Sequence, residues 1–194
     1  MNLVCFSSLT AGALVCNLLN NRFIDIKESV VSSREHAVFK IGDEIWGKTN
    51  RNYIKKDWDD RTKVRKNSKM WFGTHCHPSV IECLPLFEKK INITTMTDTS
   101  KYYRFLRACH IYFAEDTSPR TTLVKSIVDD FEPHNECTNI EFSDIVDGTF
   151  VKEYNLNVDY FNSWKKLNNF LYEEDPLLIQ CFNKGIKDAI QKSY

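Results

Sequence analysis

The residues best suited to binding an anion stand near the start of the chain, in the segment SSLTAGA at residues 7–13, between two apolar runs. Hydroxyl groups can donate hydrogen bonds, and unpaired backbone N–H groups at the start of a helix attract phosphate or sulfate. The candidate anion-binding residues are Ser7, Ser8, Thr10, Ala11, Gly12 and Ala13. The segment has one glycine and no lysine, so it lacks the full Walker pattern. Two interpretations therefore remain open: an anion-binding loop and a structural turn.

A second group of candidates is the histidine pair of GTHCHPS, residues 73–79. An imidazole titrates near neutral pH, so His75 is a candidate general base that would take a proton from a hydroxyl group. A histidine here can equally satisfy a helix end or pack in the core.

His75 and His77 share the spacing of side chains on one face of a strand, which would also allow a metal site. Such a site could be completed either by Cys109 and His110 or by His134 and Cys137. Their spacing has no metal-site regularity, and we predict no metal cofactor.

The third group opens a helix in MTDTSKYYRFLR, residues 96–107. The segment TDTS, residues 97–100, supplies N-cap candidates for the helix, and Lys101 and Arg104 would reach an anion bound near its first turn. The alternative is a solvated polar face, because cationic side chains on helices are ordinarily exposed.

These candidates must be positioned by strands and helices that alternate along the chain. Runs of apolar and β-branched residues predict strands near residues 2–7, 70–76, 91–97 and 139–142. Strands that alternate with helices predict an α/β fold with a parallel β-sheet flanked by helices. We expect one domain, residues 1–194, with a helical C-terminal part at 155–194. Ligands of such sheets collect where strands end and helices begin, which is where all three groups of candidates lie.

The helix that follows Thr97 is predicted to have one apolar and one polar side. The apolar side has helical spacing and consists of Tyr102, Phe105, Leu106, Cys109 and Phe113. Lys101, Arg104 and Arg107 lie elsewhere on the helix and are predicted to stay in its polar part.

Other helices are predicted after His77-Pro78, from Ser118-Pro119, and from Ser143 through Tyr154 across Gly148. Two C-terminal helices follow, the second starting at Asp175-Pro176. Their predicted core stripes are Val158, Phe161, Trp164, Leu167 and Leu171, and Leu178, Cys181, Phe182, Ile186 and Ala189.

The charge composition argues against a nucleic-acid or membrane partner. Lysine plus arginine and aspartate plus glutamate number 26 each, so no overall field would hold a polyanion. Residues 48–69 are rich in charge of both signs, which favours a solvated loop or short helix over a nucleic-acid patch, and a mobile lid would also be placed here. Any anion site must therefore be local.

The cysteine content favours a cytoplasmic protein with reduced thiols, because the seven cysteines are odd in number and scattered. A secretory signal is the alternative interpretation of residues 1–20, but no lysine or arginine precedes the apolar run and hydroxyl residues interrupt it. No stretch reaches the ~20 apolar residues of a membrane span.

The order of the three junctions resembles that in the sulfotransferases, whose first strand leads into a Pro-Lys-(Ser/Thr)-Gly-Thr loop. LTAGALVCNLL is similar to that loop, with Thr10 at the lysine position and Gly12 at the glycine. GTHCHPSVIECLP is similar to the family's Lys-Thr-His-Leu-Pro motif and sets His75 at the catalytic-base position. INITTMTDTSKYYRFLRACHIYF follows at a similar distance with Thr97 at the place of an arginine. NIEFSDIVDGTF resembles the family's late Tyr-Glu-Asp-Leu segment.

The resemblance implies a three-layer P-loop-type fold and transfer of a sulfuryl group from 3′-phosphoadenosine 5′-phosphosulfate (PAPS) to a hydroxyl or amine. The acceptor would be a small molecule or a glycan. Residues 7–13 would hold the 5′-phosphosulfate, His75 would be the base, and Thr97, Lys101 and Arg104 would hold the 3′-phosphate, without a metal. Thr10 and Thr97 replace two cations of the family, and Phe105 stands at its phosphate-binding serine. A non-catalytic P-loop relative that binds a protein or glycan is therefore the alternative.

Overall fold

The computed structural model of the chain describes residues 2–21, 69, 71–81, 84–113 and 130–192. The helix predicted at Ser118-Pro119 and the charged segment 48–69, apart from Lys69, lie outside these residues. None of the helices within the described ranges is both long and apolar enough to cross a membrane.

Within the described residues, four parallel strands form one sheet in the order β2-β1-β3-β4. The strands are β1 Asn2–Phe6, β2 Trp71–Thr74, β3 Lys89–Thr94 and β4 Thr138–Glu141. All four predicted strands are confirmed, and with them the α/β class. Every residue of β1 is buried, as expected of a central strand in a parallel sheet that is covered on both faces.

The two faces of the sheet pack into separate clusters, because successive strand side chains point in opposite directions. Val4 and Phe6 belong to the larger cluster, which includes the helices that follow β1 and β3 and the C-terminal helices. Leu3 and Cys5 belong to a smaller cluster with Ile81, Leu84, Phe87 and Phe131. Buried apolar side chains therefore hold the sheet from both sides.

Six α-helices occur in the described part of the chain. They are α1 Gly12–Leu19, α2 Asp98–Phe113, α3 Phe142–Val146, α4 Thr149–Glu153, α5 Val158–Leu167 and α6 Pro176–Lys192. Single turns of 3₁₀-helix occupy Pro78–Val80, Leu84–Leu86 and Asn169–Tyr172. The predicted start of the last helix is confirmed, since Asp175 Oδ1 accepts hydrogen bonds from the backbone N–H groups of Leu177 and Leu178.

Two helix predictions are wrong in detail. The helix predicted after His77-Pro78 is only one 3₁₀ turn. The helix predicted to run from Ser143 through Tyr154 is two helices, α3 and α4, and its N-cap is Glu141 rather than Ser143. The break falls at Gly148, whose φ of 87° is left-handed and ends the regular helical backbone.

The C-terminal helices pack through fewer residues than the predicted stripes contain. Phe161, Trp164 and Leu171 are buried as predicted, and Phe182 packs on the Tyr102 and Phe105 rings of α2, with centroid distances of 5.3 and 5.4 Å. Val158 and Cys181, which were also predicted to be buried, are exposed. Val158 is the first residue of α5 and lies beyond its packed face. In α6, Phe182 makes the contact with α2, and the adjacent Cys181 does not.

Candidate functional site

The strand order creates a point of divergence between β1 and β3 at the carboxyl edge of the sheet. From β1 the chain proceeds to β2 on one side, and β3 lies on the other side of β1. In open parallel sheets this divergence leaves a crevice in which ligands bind. Residues 7–13 follow β1, His75 follows β2, and Thr97 follows β3, so the structure brings all three groups of candidates to one edge.

The loop between β1 and α1 has an unusual backbone conformation. Leu9 and Ala11 have φ values of 72° and 57°, in the left-handed region, which costs a non-glycine residue about 1–2 kcal/mol. Left-handed Ala11 directly precedes Gly12, the first residue of α1. Such a neighbouring pair turns successive backbone N–H groups to one side, in an arrangement called a nest that suits anions. The N–H groups of Gly12 and Ala13 also lie in the first turn, where the helix supplies no carbonyl partner.

The loop hydroxyls are used unequally. Thr10 is fully buried, and its Oγ1 donates to the Ser7 carbonyl oxygen at 2.7 Å. The Thr10 hydroxyl therefore stabilises the turn from within. Ser8, in contrast, is an exposed residue.

Gly12 allows a close approach of the Phe6 ring to the start of α1. A Cβ atom at residue 12 would lie 2.1 Å from Phe6 Cγ, far inside van der Waals contact. The Phe6 ring also contacts His75, with ring centroids 4.5 Å apart and planes at 62°. Phe6 thus links the first turn of α1 to His75, a half-buried residue whose Nδ1 atom is buried.

His77 is a structural residue. Its Nδ1 lies 3.3 Å from the Ser79 backbone nitrogen and 2.8 Å from Ser79 Oγ, and its Nε2 lies 3.0 Å from the Glu132 carbonyl oxygen. Both ring nitrogens are therefore engaged within the protein. The described residues contain no group of three histidine, cysteine, aspartate or glutamate side chains placed to hold a metal ion.

The start of α2 holds the carboxylate of Glu141 from the end of β4. Glu141 Oε1 accepts hydrogen bonds from the Thr97 backbone nitrogen at 2.9 Å and from Thr97 Oγ1 at 3.1 Å, and Oε2 accepts one from Thr94 Oγ1. Burial raises the pKa of Glu141, but hydrogen bonds from Thr94, Thr97 and Ser100 outweigh it, and the net pKa is lowered. An ionised carboxylate therefore occupies the positive end of this helix.

The cations predicted near this helix start are all engaged. Lys101 Nζ pairs with Asp130 Oδ2 at 3.1 Å. Arg104 Nε donates to the Ser8 carbonyl oxygen at 3.1 Å, and Arg107 Nη1 donates to the Leu9 carbonyl oxygen at 2.7 Å. The prediction that Arg104 and Arg107 lie on a polar, solvated side is wrong: they are 5% and 1% exposed. Guanidinium groups can be buried here because the loop carbonyls accept their hydrogen bonds.

Glu141 and Asp130 were missed as site residues. An acidic residue next to the last position of the predicted strand NIEF was the available signal for Glu141. Comparison with models of known protein families, with curated proteins and with solved structures finds no match to this chain.

Proposed function

We propose that the protein is a sulfotransferase-like protein of the three-layer P-loop type, which transfers a sulfuryl group from PAPS to a hydroxyl or amine of a small molecule or glycan. The observation that supports this most is the placement of the β1–α1 loop and His75 on adjacent strands at the carboxyl edge. PAPS held by the β1–α1 loop would then face His75 as the base. The order of motifs in the sequence supports the same function.

In the proposed reaction the acceptor oxygen or nitrogen forms a bond to sulfur while the bond between sulfur and the phosphate oxygen breaks. His75 takes the proton from the acceptor, and adenosine 3′,5′-bisphosphate leaves with the bonding electron pair. Backbone N–H groups of residues 7–13 other than that of Thr10, which donates to the Ser7 carbonyl oxygen, would stabilise the charge that develops on the leaving phosphate. Thr10 supplies no charge there, so the positive charge would come from Arg104 and Arg107 behind the loop.

The 3′-phosphate would bind near Thr97 and Lys101, where existing contacts must be replaced. The Lys101–Asp130 pair is partly exposed, and pairs of this kind contribute only about 0–1 kcal/mol. Lys101 can therefore turn to a phosphate at small cost. The donors of Thr97 are held by Glu141, and a phosphate would have to share them.

Calorimetric titration with adenosine 3′,5′-bisphosphate, with adenosine 5′-monophosphate as the control, tests the binding. We expect the bisphosphate to bind more tightly, and Lys101→Ala to remove much of that difference. His75→Ala should leave bisphosphate binding intact and abolish sulfuryl transfer in an acceptor screen. His110→Ala is the matched control, since His110 lies near the far end of α2, stacked on Phe170. No binding at millimolar bisphosphate would refute the proposal.

A second candidate function is non-catalytic binding of a protein or glycan at the same edge. The resemblance assigns the Thr10 hydroxyl, the Thr97 hydrogen-bond donors and the Lys101 ammonium to PAPS. All three are instead bound to other groups of the protein, which favours the non-catalytic function. This function predicts no specific bisphosphate binding and unchanged partner binding in His75→Ala.

A further inference from the structure

Two arginine side chains of α2 hold the β1–α1 loop from the side of its carbonyl groups. Arg104 binds the Ser8 carbonyl and Arg107 binds the Leu9 carbonyl, so two consecutive peptide units are each held by a guanidinium group. The arginines are three residues apart and therefore neighbours on the helix surface. Both are buried, and the contacts join segments 96 and 98 residues apart in the chain.

These hydrogen bonds determine which way the loop peptides face. The C=O and N–H groups of a trans peptide point in opposite directions. Since the carbonyls of Ser8 and Leu9 point at α2, the N–H groups of Leu9 and Thr10 point away from α2, and the Thr10 N–H donates to the Ser7 carbonyl oxygen at 3.4 Å. The left-handed φ of Leu9 is unfavourable for leucine, so tertiary contacts such as these must maintain it.

The same contacts supply charge to a loop that has none of its own. Residues 7–13 contain no lysine or arginine. A guanidinium group stays protonated at any physiological pH. Because Arg104 and Arg107 are buried, salt screens their field at the loop only weakly.

We propose that Arg104 and Arg107 are positioning residues for a phosphate- or sulfate-bearing ligand at the β1–α1 loop. They orient the peptide units of the loop and provide its positive charge from behind, without touching the ligand. Arg104 thereby serves the loop rather than a 3′-phosphate. The inference rests on the proposed function, because it takes the loop to be the ligand-binding segment.

The test is an NMR titration of ¹⁵N-labelled full-length protein with adenosine 3′,5′-bisphosphate, and separately with inorganic sulfate. In the wild type we expect the amide signals of residues 8–13 to shift. Arg107→Gln should weaken binding at least tenfold and remove the loop shifts, while signals elsewhere stay as in the wild type. Arg107→Lys should recover part of the affinity, because it restores the charge. Lys152→Gln, a charge loss at an exposed site on α4, is the matched control and should bind as the wild type does.

Binding by Arg107→Gln within twofold of the wild type, with the same loop shifts, would overturn the inference. An equal loss of affinity in Arg107→Lys and Arg107→Gln, with amide shifts spread over the whole spectrum, would also overturn it, because that result indicates a purely structural role. If Arg107→Gln does not fold, Arg104→Gln decides: a reduced affinity with changes confined to the loop supports the inference, and an unchanged affinity overturns it. A wild type that shows no response to either ligand refutes the proposed function itself, and the inference falls with it.

Discussion

Replacing Gly12 by alanine tests the contact that links the first turn of α1 to the end of β1. The added methyl group would lie 2.1 to 2.4 Å from three atoms of the Phe6 ring, so a shift of a few tenths of an ångström cannot accommodate it. Phe6 is 1% exposed and lies between α1 and His75. The ring must therefore leave its position, and its displacement would carry over to the imidazole.

The expected change in the free energy of unfolding is the balance of destabilising packing effects and a stabilising helix preference. Overpacking costs about 1–3 kcal/mol, and losing the packing of a buried phenylalanine costs about 3–5 kcal/mol. The helix preference for alanine over glycine offsets at most about 1 kcal/mol. We expect Gly12→Ala to lower the free energy of unfolding by about 2–4 kcal/mol, measured by urea unfolding with an unchanged m-value.

Gly185→Ala in α6 is the matched control, because a Cβ atom there would have no neighbour within 4 Å. This variant should gain about 0.8–1 kcal/mol from helix preference alone. In the double variant Phe6→Ala with Gly12→Ala, the two losses should be less than additive by about 1–3 kcal/mol, because each change relieves the need for the other. Wild-type stability in Gly12→Ala would refute this account of the contact.

Three further predictions concern buried polar and ionisable groups. Both amide atoms of Asn17 are buried without a hydrogen bond in the part of the chain that the structure describes, so Asn17→Leu should raise the free energy of unfolding by about 1–3 kcal/mol in urea; an equal or lower value would contradict this. The lowered pKa of Glu141 contributes stability that is present above its unfolded pKa of about 4.3 and is lost as the pH falls through the folded pKa. The urea midpoint of Glu141→Gln should therefore fall less than that of the wild type between pH 6 and pH 3. An identical pH dependence of the two midpoints would contradict this prediction. Iodoacetamide should alkylate exposed Cys181 in the folded protein and spare Cys16, whose pKa is raised by complete burial. Mass spectrometry of the labelled peptides measures this, and alkylation of Cys16 in the folded protein would contradict its burial.

The sequence was sufficient to predict the features that depend on neighbouring residues. The apolar run NLVCF and the β-branched run INIT predict strands because each is extended and buried through its own side chains. The Thr97 cap of α2 and the Asp175-Pro176 start of α6 are likewise local, because a cap and the helix turn that it closes lie within four residues.

Only the tertiary structure decided what the polar residues of the site do. Helical spacing placed Arg104 and Arg107 away from the apolar side of α2, and exposure is the ordinary outcome for such cations. They are buried because loop carbonyls 96 and 98 residues away accept their hydrogen bonds. Glu141 reaches Thr97 only because β4 pairs with β3, and the Phe6 ring fits against α1 only because residue 12 has no side chain. The contacts of Arg104, Arg107 and Glu141 join segments that the parallel sheet brings together, and the pairing of distant strands cannot be read from the spacing of residues along the chain.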